Sequence, residues 1–269
     1  MNTTIGTLLA ASGLPPIEAQ ALAAHALGLS RATLLAEPER VLVREDARRA
    51  ERLFLRRRTG EPVAYLTGER EFYGLPFKIT PDVLIPRPET ELLVDLALEL
   101  APEGARVLDL GTGCGAIAVA IAHEMPGSEV WATDASPGAL AVARENARRH
   151  GAHVQFVASD WLATLGGERF DVIVSNPPYV AEGDAHLERG DLRYEPRAAL
   201  VGGTDGLDCI RRIIADAQSH LVASGWLLLE HGYDQAERLR SLFAIYGYID
   251  VQSLPDLAGL PRVTGGRLR

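Results

Sequence analysis

The chain has 269 residues, 47% of them hydrophobic and 23% charged, which excludes disorder as the main state and suggests one large domain or two modest ones. No run of 18 apolar residues occurs, so no membrane-spanning helix is expected, and two cysteines, Cys114 and Cys209, cannot build a disulfide framework. The net charge of −9 is uneven: residues 1–75 hold ten arginines against nine acids, whereas residues 76–269 hold seventeen basic against twenty-seven acidic side chains. So acidic a chain has no broad field for nucleic-acid phosphates, although a local arginine patch remains. The first residues lack the charged start of a secretory signal, and a reducing, cytoplasmic setting is expected. Lys78, the only lysine, follows Phe77, which excludes a G-x-x-x-x-G-K-[ST] loop; G-x-S-x-G, H-E-x-x-H and C-x-x-C are also missing.

Residues 1–58 read as three or four short helices forming a bundle, with apolar positions at helical spacing through Ile5, Leu8 and Leu9 and again through Ile17, Ala21 and Ala24. Ser30 and Asp46 are N-cap candidates, and Pro15-Pro16 marks a helix start. Arg48, Arg49, Arg52, Arg56, Arg57 and Arg58 form a basic helical face, either a solvated surface interleaved with Glu45 and Glu51 or a contact surface. Residues 59–87, rich in Gly, Pro and aromatics, read as a linker carrying a β-hairpin with strands at 77–79 and 83–85. Pro88 or Thr90 then opens a helix through Leu92, Leu93, Leu96 and Leu100. From residue 105, strand candidates at 107–110, 130–133, 154–158, 172–175 and 226–230 alternate with helical stretches such as 116–123 and 137–150. Short buried strands with crossover helices predict an α/β fold with a doubly wound, mostly parallel sheet over residues 88–269.

The first of these strands runs into Gly111-Thr112-Gly113-Cys114-Gly115 and then an Ala-rich helix, a turn that lets a ligand approach the backbone. The second ends at Asp134, 23 residues after Gly111, where an acid can accept from ribose hydroxyls or cap the helix at Pro137. The pattern serves nicotinamide dinucleotides and S-adenosylmethionine alike. Ser159-Asp160-Trp161 closes the third strand and suits the edge and face of an adenine, with Trp161 alternatively a core cap. The fourth strand runs into Asn176-Pro177-Pro178-Tyr179. The prolines restrict the backbone so that the Pro177 carbonyl stands beside the Asn176 side chain. Together these two oxygens can accept both hydrogens of one planar –NH2, and Tyr179 can stack on the group that carries it. That chemistry points to methyl transfer from S-adenosylmethionine to a planar nitrogen. Asn176 and Pro177 are the candidate catalytic residues. His150 and His153 lack further ligands, so no metal is expected.

Beyond N-P-P-Y, the chain resembles the release-factor glutamine methyltransferases (the PrmC/HemK family) in Gly60 to Gly68, Glu71 to Tyr73, the I-P-R-P-E-T-E block ending in Thr90 and Glu91, Arg193 to Pro196, and Leu227 to Gly232. The resemblance runs from about residue 15 to the C-terminus. It implies a Rossmann-like methyltransferase domain with a small N-terminal helical bundle, and an enzyme that methylates the side-chain amide of the GGQ glutamine in peptide-chain release factors. It further implies that Gly111, Thr112, Gly113, Cys114, Gly115, Asp134, Trp161 and Asn176 hold the cofactor, that Asn176, Pro177, Pro178 and Tyr179 hold the glutamine, and that the bundle grips the release factor. A monomer without stable nucleic-acid or membrane partners is expected. The alternative is a nucleic-acid adenine N6-methyltransferase, which would flip its base into the same pocket. Glu195 either lines the pocket or anchors its loop.

Overall fold

A computed structural model describes residues 3–269; Met1 and Asn2, which open the expected 1–58 bundle, lie outside the described residues. Two compact units are present, one of residues 1–69 with 188–194, the other of residues 70–187 with 195–269.

In the helical unit, α1 (Ile5–Ala10), α2 (Pro16–Leu27), α3 (Arg31–Ala36), α4 (Arg44–Arg58) and α5 (Val63–Thr67) enclose a core of Ile5, Leu8, Leu22, Leu34 and Phe54. Pro16 opens α2 and the Ser30 side chain caps α3, as their residue types predict. Asp46 is not a cap: α4 starts after Val43, and Asp46 lies in the first turn, where a carboxylate meets the positive end of the helix dipole. The arginine face divides. Arg57 is mostly buried, bonded to Glu18 at 2.7 and 2.9 Å and to Asp191 at 2.8 Å, and Arg49 reaches the Ala26 carbonyl. The Thr59 carbonyl accepts from the Tyr194 hydroxyl at 2.9 Å and from the Arg193 guanidinium.

A hairpin of β1 (Glu69–Phe72) and β2 (Leu75–Lys78) follows, in the second unit from Arg70 onward. The strands lie earlier than the expected 77–79 and 83–85. The turn is Tyr73-Gly74, both at positive φ (52° and 74°), the two-residue geometry that matches strand twist. It sets Phe72 and Phe77 edge to face at 6.1 Å, both buried. Residues 83–85 form no strand, yet Val83 and Ile85 are buried.

After a short 3-10 turn, Pro88–Thr90, come α6 (Glu91–Leu100), β3 (Arg106–Leu110), α7 (Ala116–Glu124), β4 (Glu129–Asp134), α8 (Pro137–His150), β5 (Val154–Ala158), β6 (Phe170–Ser175), α9 (Asp208–Ala217), β7 (Leu221–Glu230), α10 (Ala236–Ile245), β8 (Ile249–Pro255) and β9 (Pro261–Arg267). Seven strands form one sheet in the order β5-β4-β3-β6-β7-β9-β8, parallel except for β9, which runs antiparallel to both neighbours. This is a doubly wound, Rossmann-like α/β sheet, and its strand order reverses between β3 and β6. The last two strands were not legible in the sequence. β9 carries Gly265 and Gly266 because a Cβ there would come within 2.6 Å of Leu228 Cδ2 and 2.5 Å of Phe243 Cδ1. Its place depends on what packs over it rather than on an apolar alternation.

Candidate active site

Ligands of such sheets bind beyond the carboxyl ends of the strands, where the order reverses. Here that point lies between Gly111, after β3, and Asn176, after β6: Leu110 pairs with Ser175, whose hydroxyl donates to the Leu110 carbonyl at 2.7 Å. A cavity of about 280 Å³ opens at this point, near the small end of the roughly 300–1,000 Å³ usual for ligand sites. Gly111, Gly113, Asp134, Trp161, Asn176 and Pro178 line it, joined by Ser159 and Asp160.

The glycine turn follows from backbone sterics. Gly111, Gly113 and Gly115 have φ of 72°, 56° and 84°, a region that L side chains rarely adopt. A Cβ on Gly111 would stand 3.2 Å from the Trp161 ring, and around Gly113 the space is open. Trp161 is itself at φ 56°, at a cost of about 1–2 kcal/mol for a side chain of its size. That conformation sets its ring over Gly111 at the cavity wall.

Asp134 accepts from the Gly113 N–H at 2.9 Å and the Ser136 N–H at 2.8 Å, one on each oxygen. Each oxygen keeps a lone pair for a further donor. The cap of α8 is Ser136, whose hydroxyl accepts from Ala139 N–H, so Asp134 is not the cap of this helix. Thr112 and Cys114 contribute no side chain to the cavity. Thr112 donates to Asp109 at 2.6 Å, and Cys114 is buried, its carbonyl accepting from Asn146. Gly115 caps α7, where a Cβ would meet Ala143 at 3.1 Å. Asp109 is fully buried and burial pushes its carboxyl up to about 7; its Oδ1 has no partner among the described residues.

These features suit S-adenosylmethionine: an open backbone cradle at Gly113, a carboxylate lining the cavity, an aromatic wall, and no cationic side chain among the lining residues to repel a sulfonium.

On the opposite side, Asn176 Nδ2 donates to the Thr90 hydroxyl oxygen at 3.1 Å. The Thr90 hydroxyl donates to Glu230 Oε2 at 2.6 Å, and the Tyr179 hydroxyl donates to Oε1 of the same carboxylate at 3.2 Å. Pro177 is buried, and neither it nor Tyr179 lines the cavity. The Tyr179 carbonyl accepts from Gln235, and Val180 bridges to Val201, which holds the loop after β6. Glu195 is buried and takes Arg87 at 2.6 Å; it anchors its loop, while the next residue, Pro196, lines the cavity. Thr90, read in the sequence only as a possible helix start, and Glu230, read only as a strand end, are the polar residues that the sequence did not connect to the site. Their signal was a hydroxyl and a carboxylate at the ends of apolar runs.

Comparison with known proteins gives concordant results. Residues 3–68 match the family model "PrmC N-terminal domain" and residues 88–190 the model "Methyltransferase small domain". A Burkholderia pseudomallei protein named release factor glutamine methyltransferase is 53% identical over 100% of this chain and 99% of its own length. Proteins of the same name from Bordetella pertussis and Escherichia coli are 51% and 46% identical, covering 99% and 96% of this chain and 100% and 94% of theirs. Among solved structures, a Pyrococcus furiosus methyltransferase aligns over 79% of this chain and 96% of its own with a TM-score of 0.56 at 18% identity. A T. thermophilus 16S rRNA methyltransferase, solved with AdoMet and guanosine, aligns over 75% of this chain and 50% of its own at 0.55 and 24% identity. These two share the fold. The full-length identity to the curated relatives, with both domain models matched in order, places the chain in the release factor glutamine methyltransferase family.

Proposed function

We propose that this chain transfers a methyl group from S-adenosylmethionine to the side-chain amide nitrogen of the GGQ glutamine in a peptide-chain release factor. The observation that carries this reading is the orientation of the Asn176 amide: with Nδ2 spent on Thr90, its oxygen is left to accept from a bound –NH2. The cofactor would be held by Gly111, Gly113, Asp134 and Trp161, and the chemistry it supplies is one electrophilic methyl group. An amide nitrogen is a poor nucleophile because its lone pair is delocalised into the carbonyl. Asn176 Oδ1 and the Pro177 carbonyl hold its two hydrogens, and these bonds strengthen as positive charge grows on nitrogen, which favours the transition state over the ground state. Holding the amide in line contributes up to about 7–11 kcal/mol of the barrier in favourable cases. The alkylated nitrogen is strongly acidic and gives up its proton afterwards without a dedicated base in the motif.

A single primary amide cannot distinguish one glutamine from all others, so selection needs a second surface. We assign that role to the helical unit, whose α4 presents Arg48 and Arg52 toward solvent. A cytoplasmic enzyme acting as a monomer, without membrane or nucleic-acid partners, fits the acidic residues 76–269 and the two free cysteines. Among the described residues, no helix is long and apolar enough to cross a membrane.

The test offers methyl-labelled S-adenosylmethionine with purified release factor, a GGQ peptide, or an adenine-containing DNA, and locates the label by mass spectrometry. Label on the GGQ glutamine is expected. Label on adenine, or none on the release factor, refutes the reading.

A further inference from the structure

We propose that Thr90 and Glu230 are positioning residues for this reaction: the buried Glu230 carboxylate, acting through the Thr90 hydroxyl, decides which atom of the Asn176 amide is offered to the substrate.

The inference, which rests on the glutamine reading above, follows from proton counting along the three bonds. Thr90 is 3% exposed and Glu230 1% exposed, so both are shielded from solvent. An ionised carboxylate only accepts, and a hydroxyl has a single proton. At 2.6 Å the Thr90 proton therefore points at Glu230 Oε2. The Thr90 oxygen can then only accept, and of the two ends of the Asn176 amide only Nδ2 can supply that hydrogen, at 3.1 Å. The amide oxygen is turned away from Thr90 as a consequence. Tyr179, the other arm, hangs from Glu230 Oε1 at 3.2 Å, so one carboxylate orients two residues of the N-P-P-Y segment.

Burying a carboxylate costs several kcal/mol that an apolar side chain in the same place would avoid. The three residues before it in the chain, Leu227 to Leu229, are all apolar and buried, which makes a purely packing role for the carboxylate a poor solution. The polarity of the chain of bonds is also reversible. A Glu230 protonated on Oε2 donates to the Thr90 oxygen, the Thr90 proton turns to Asn176, and the amide rotates to offer Oδ1 inward and –NH2 outward. Substrate would then meet a donor where it needs an acceptor. The charged groups around the carboxylate are Arg262 on β9, which favours the ionised form, and Glu89 beside Thr90, which opposes it; Tyr179 is bonded to it and also lies in the field of Arg87 and Arg262. Burial outweighs Arg262 and pushes the Glu230 carboxyl up to about 7, so the reversal falls within an accessible pH range.

The experiment uses the full chain as parent, Thr90→Val, Thr90→Ser and Glu230→Gln. Three readouts are taken: kcat and KM with intact release factor, S-adenosylhomocysteine affinity by calorimetry, and the Asn176 side-chain 15N–H2 signals across pH 5.5–8.5 without substrate. Thr90→Val is expected to lower kcat at least tenfold with KM and cofactor affinity within about twofold, and Thr90→Ser to restore at least a third of the parent rate. The parent kcat and the Asn176 signals should change together through about pH 7, and Glu230→Gln should abolish both changes. Parental kcat in Thr90→Val, a Thr90→Ser rate as low as that of Thr90→Val, or Asn176 signals indifferent to pH and to Thr90→Val would each overturn the proposal. Should Thr90→Val fail to fold, the serine variant and the parent pH titration decide it. A parent that labels no release factor refutes the substrate reading, while the Asn176 signals still test the relay.

Discussion

At the scale of single residues, the site separates into a cofactor side and a substrate side that different substitutions should distinguish. Asp134 lines the cavity and holds the Gly113 N–H, so Asp134→Ala removes a ribose acceptor and loosens the cradle together. Its S-adenosylhomocysteine affinity should fall at least tenfold, about 1.4 kcal/mol, with little change in release-factor affinity. Equal calorimetric affinities in parent and variant would remove Asp134 from the cofactor site. Asn176→Ala deletes one of the two acceptors for the substrate amide. Turnover at saturating cofactor should drop at least about tenfold with the thermal transition unchanged, and an unaltered rate would show that Asn176 does not clamp the glutamine.

At the scale of elements, the glycine turn does two jobs. Gly111 and Gly113 shape the cavity, whereas Gly115 lets α7 begin against α8: its φ is 84°, and a Cβ would lie 3.1 Å from Ala143 Cβ and 3.2 Å from its Cα. The obstacle is backbone and cannot swing aside. Gly115→Ala adds a left-handed penalty of about 1–2 kcal/mol to a packing clash of about 1–3 kcal/mol. At roughly 2–4 °C per kcal/mol for a domain of this size, the melting temperature should fall by about 4–20 °C. A melt within about 1 °C of the parent would show that α7 and α8 shift apart freely.

At the scale of the whole molecule, buried ionisable groups tie folding to pH. Asp109 binds its proton more tightly folded, with the carboxyl up to about 7 against 3.8 unfolded. Its stabilising contribution is therefore complete below pH 3.8 and is lost as pH rises through 7. Glu230 runs in the same direction, and His231, whose pKa burial lowers, runs in the opposite one, losing stability as pH falls. The Asp109→Asn variant cancels those common contributions. Between pH 5 and pH 8 its unfolding free energy relative to the parent should improve by a few kcal/mol, measured by chemical denaturation. A constant difference across that range would mean that Asp109 titrates alike folded and unfolded. Recognition also belongs to this scale. Reversing charge at Arg48 and Arg52 should raise KM for intact release factor several-fold and leave a short GGQ peptide unaffected, since a peptide engages only the pocket. Equal effects on both substrates would tie these arginines to the fold instead.

Much of this was legible in the sequence because the features are local. A strand that ends in Gly111, Gly113 and Gly115 records the need for positive φ, and two prolines after Asn176 record a stiffened acceptor. Alternating strands and helices were enough to predict the doubly wound sheet. The hairpin was displaced in that reading because a Tyr73-Gly74 turn carries no strong two-residue signal, although its positive φ angles are required by the pairing. β8 and β9 were missed because Gly265 and Gly266 are set by Leu228 and Phe243 above them. The relay through Thr90 was equally hidden, since its partners lie 86 and 140 residues away. Steric demands on one turn leave a residue type behind at that position. Hydrogen bonds between distant strand ends leave no period and no spacing, so only the folded chain decides which hydroxyl meets which carboxylate.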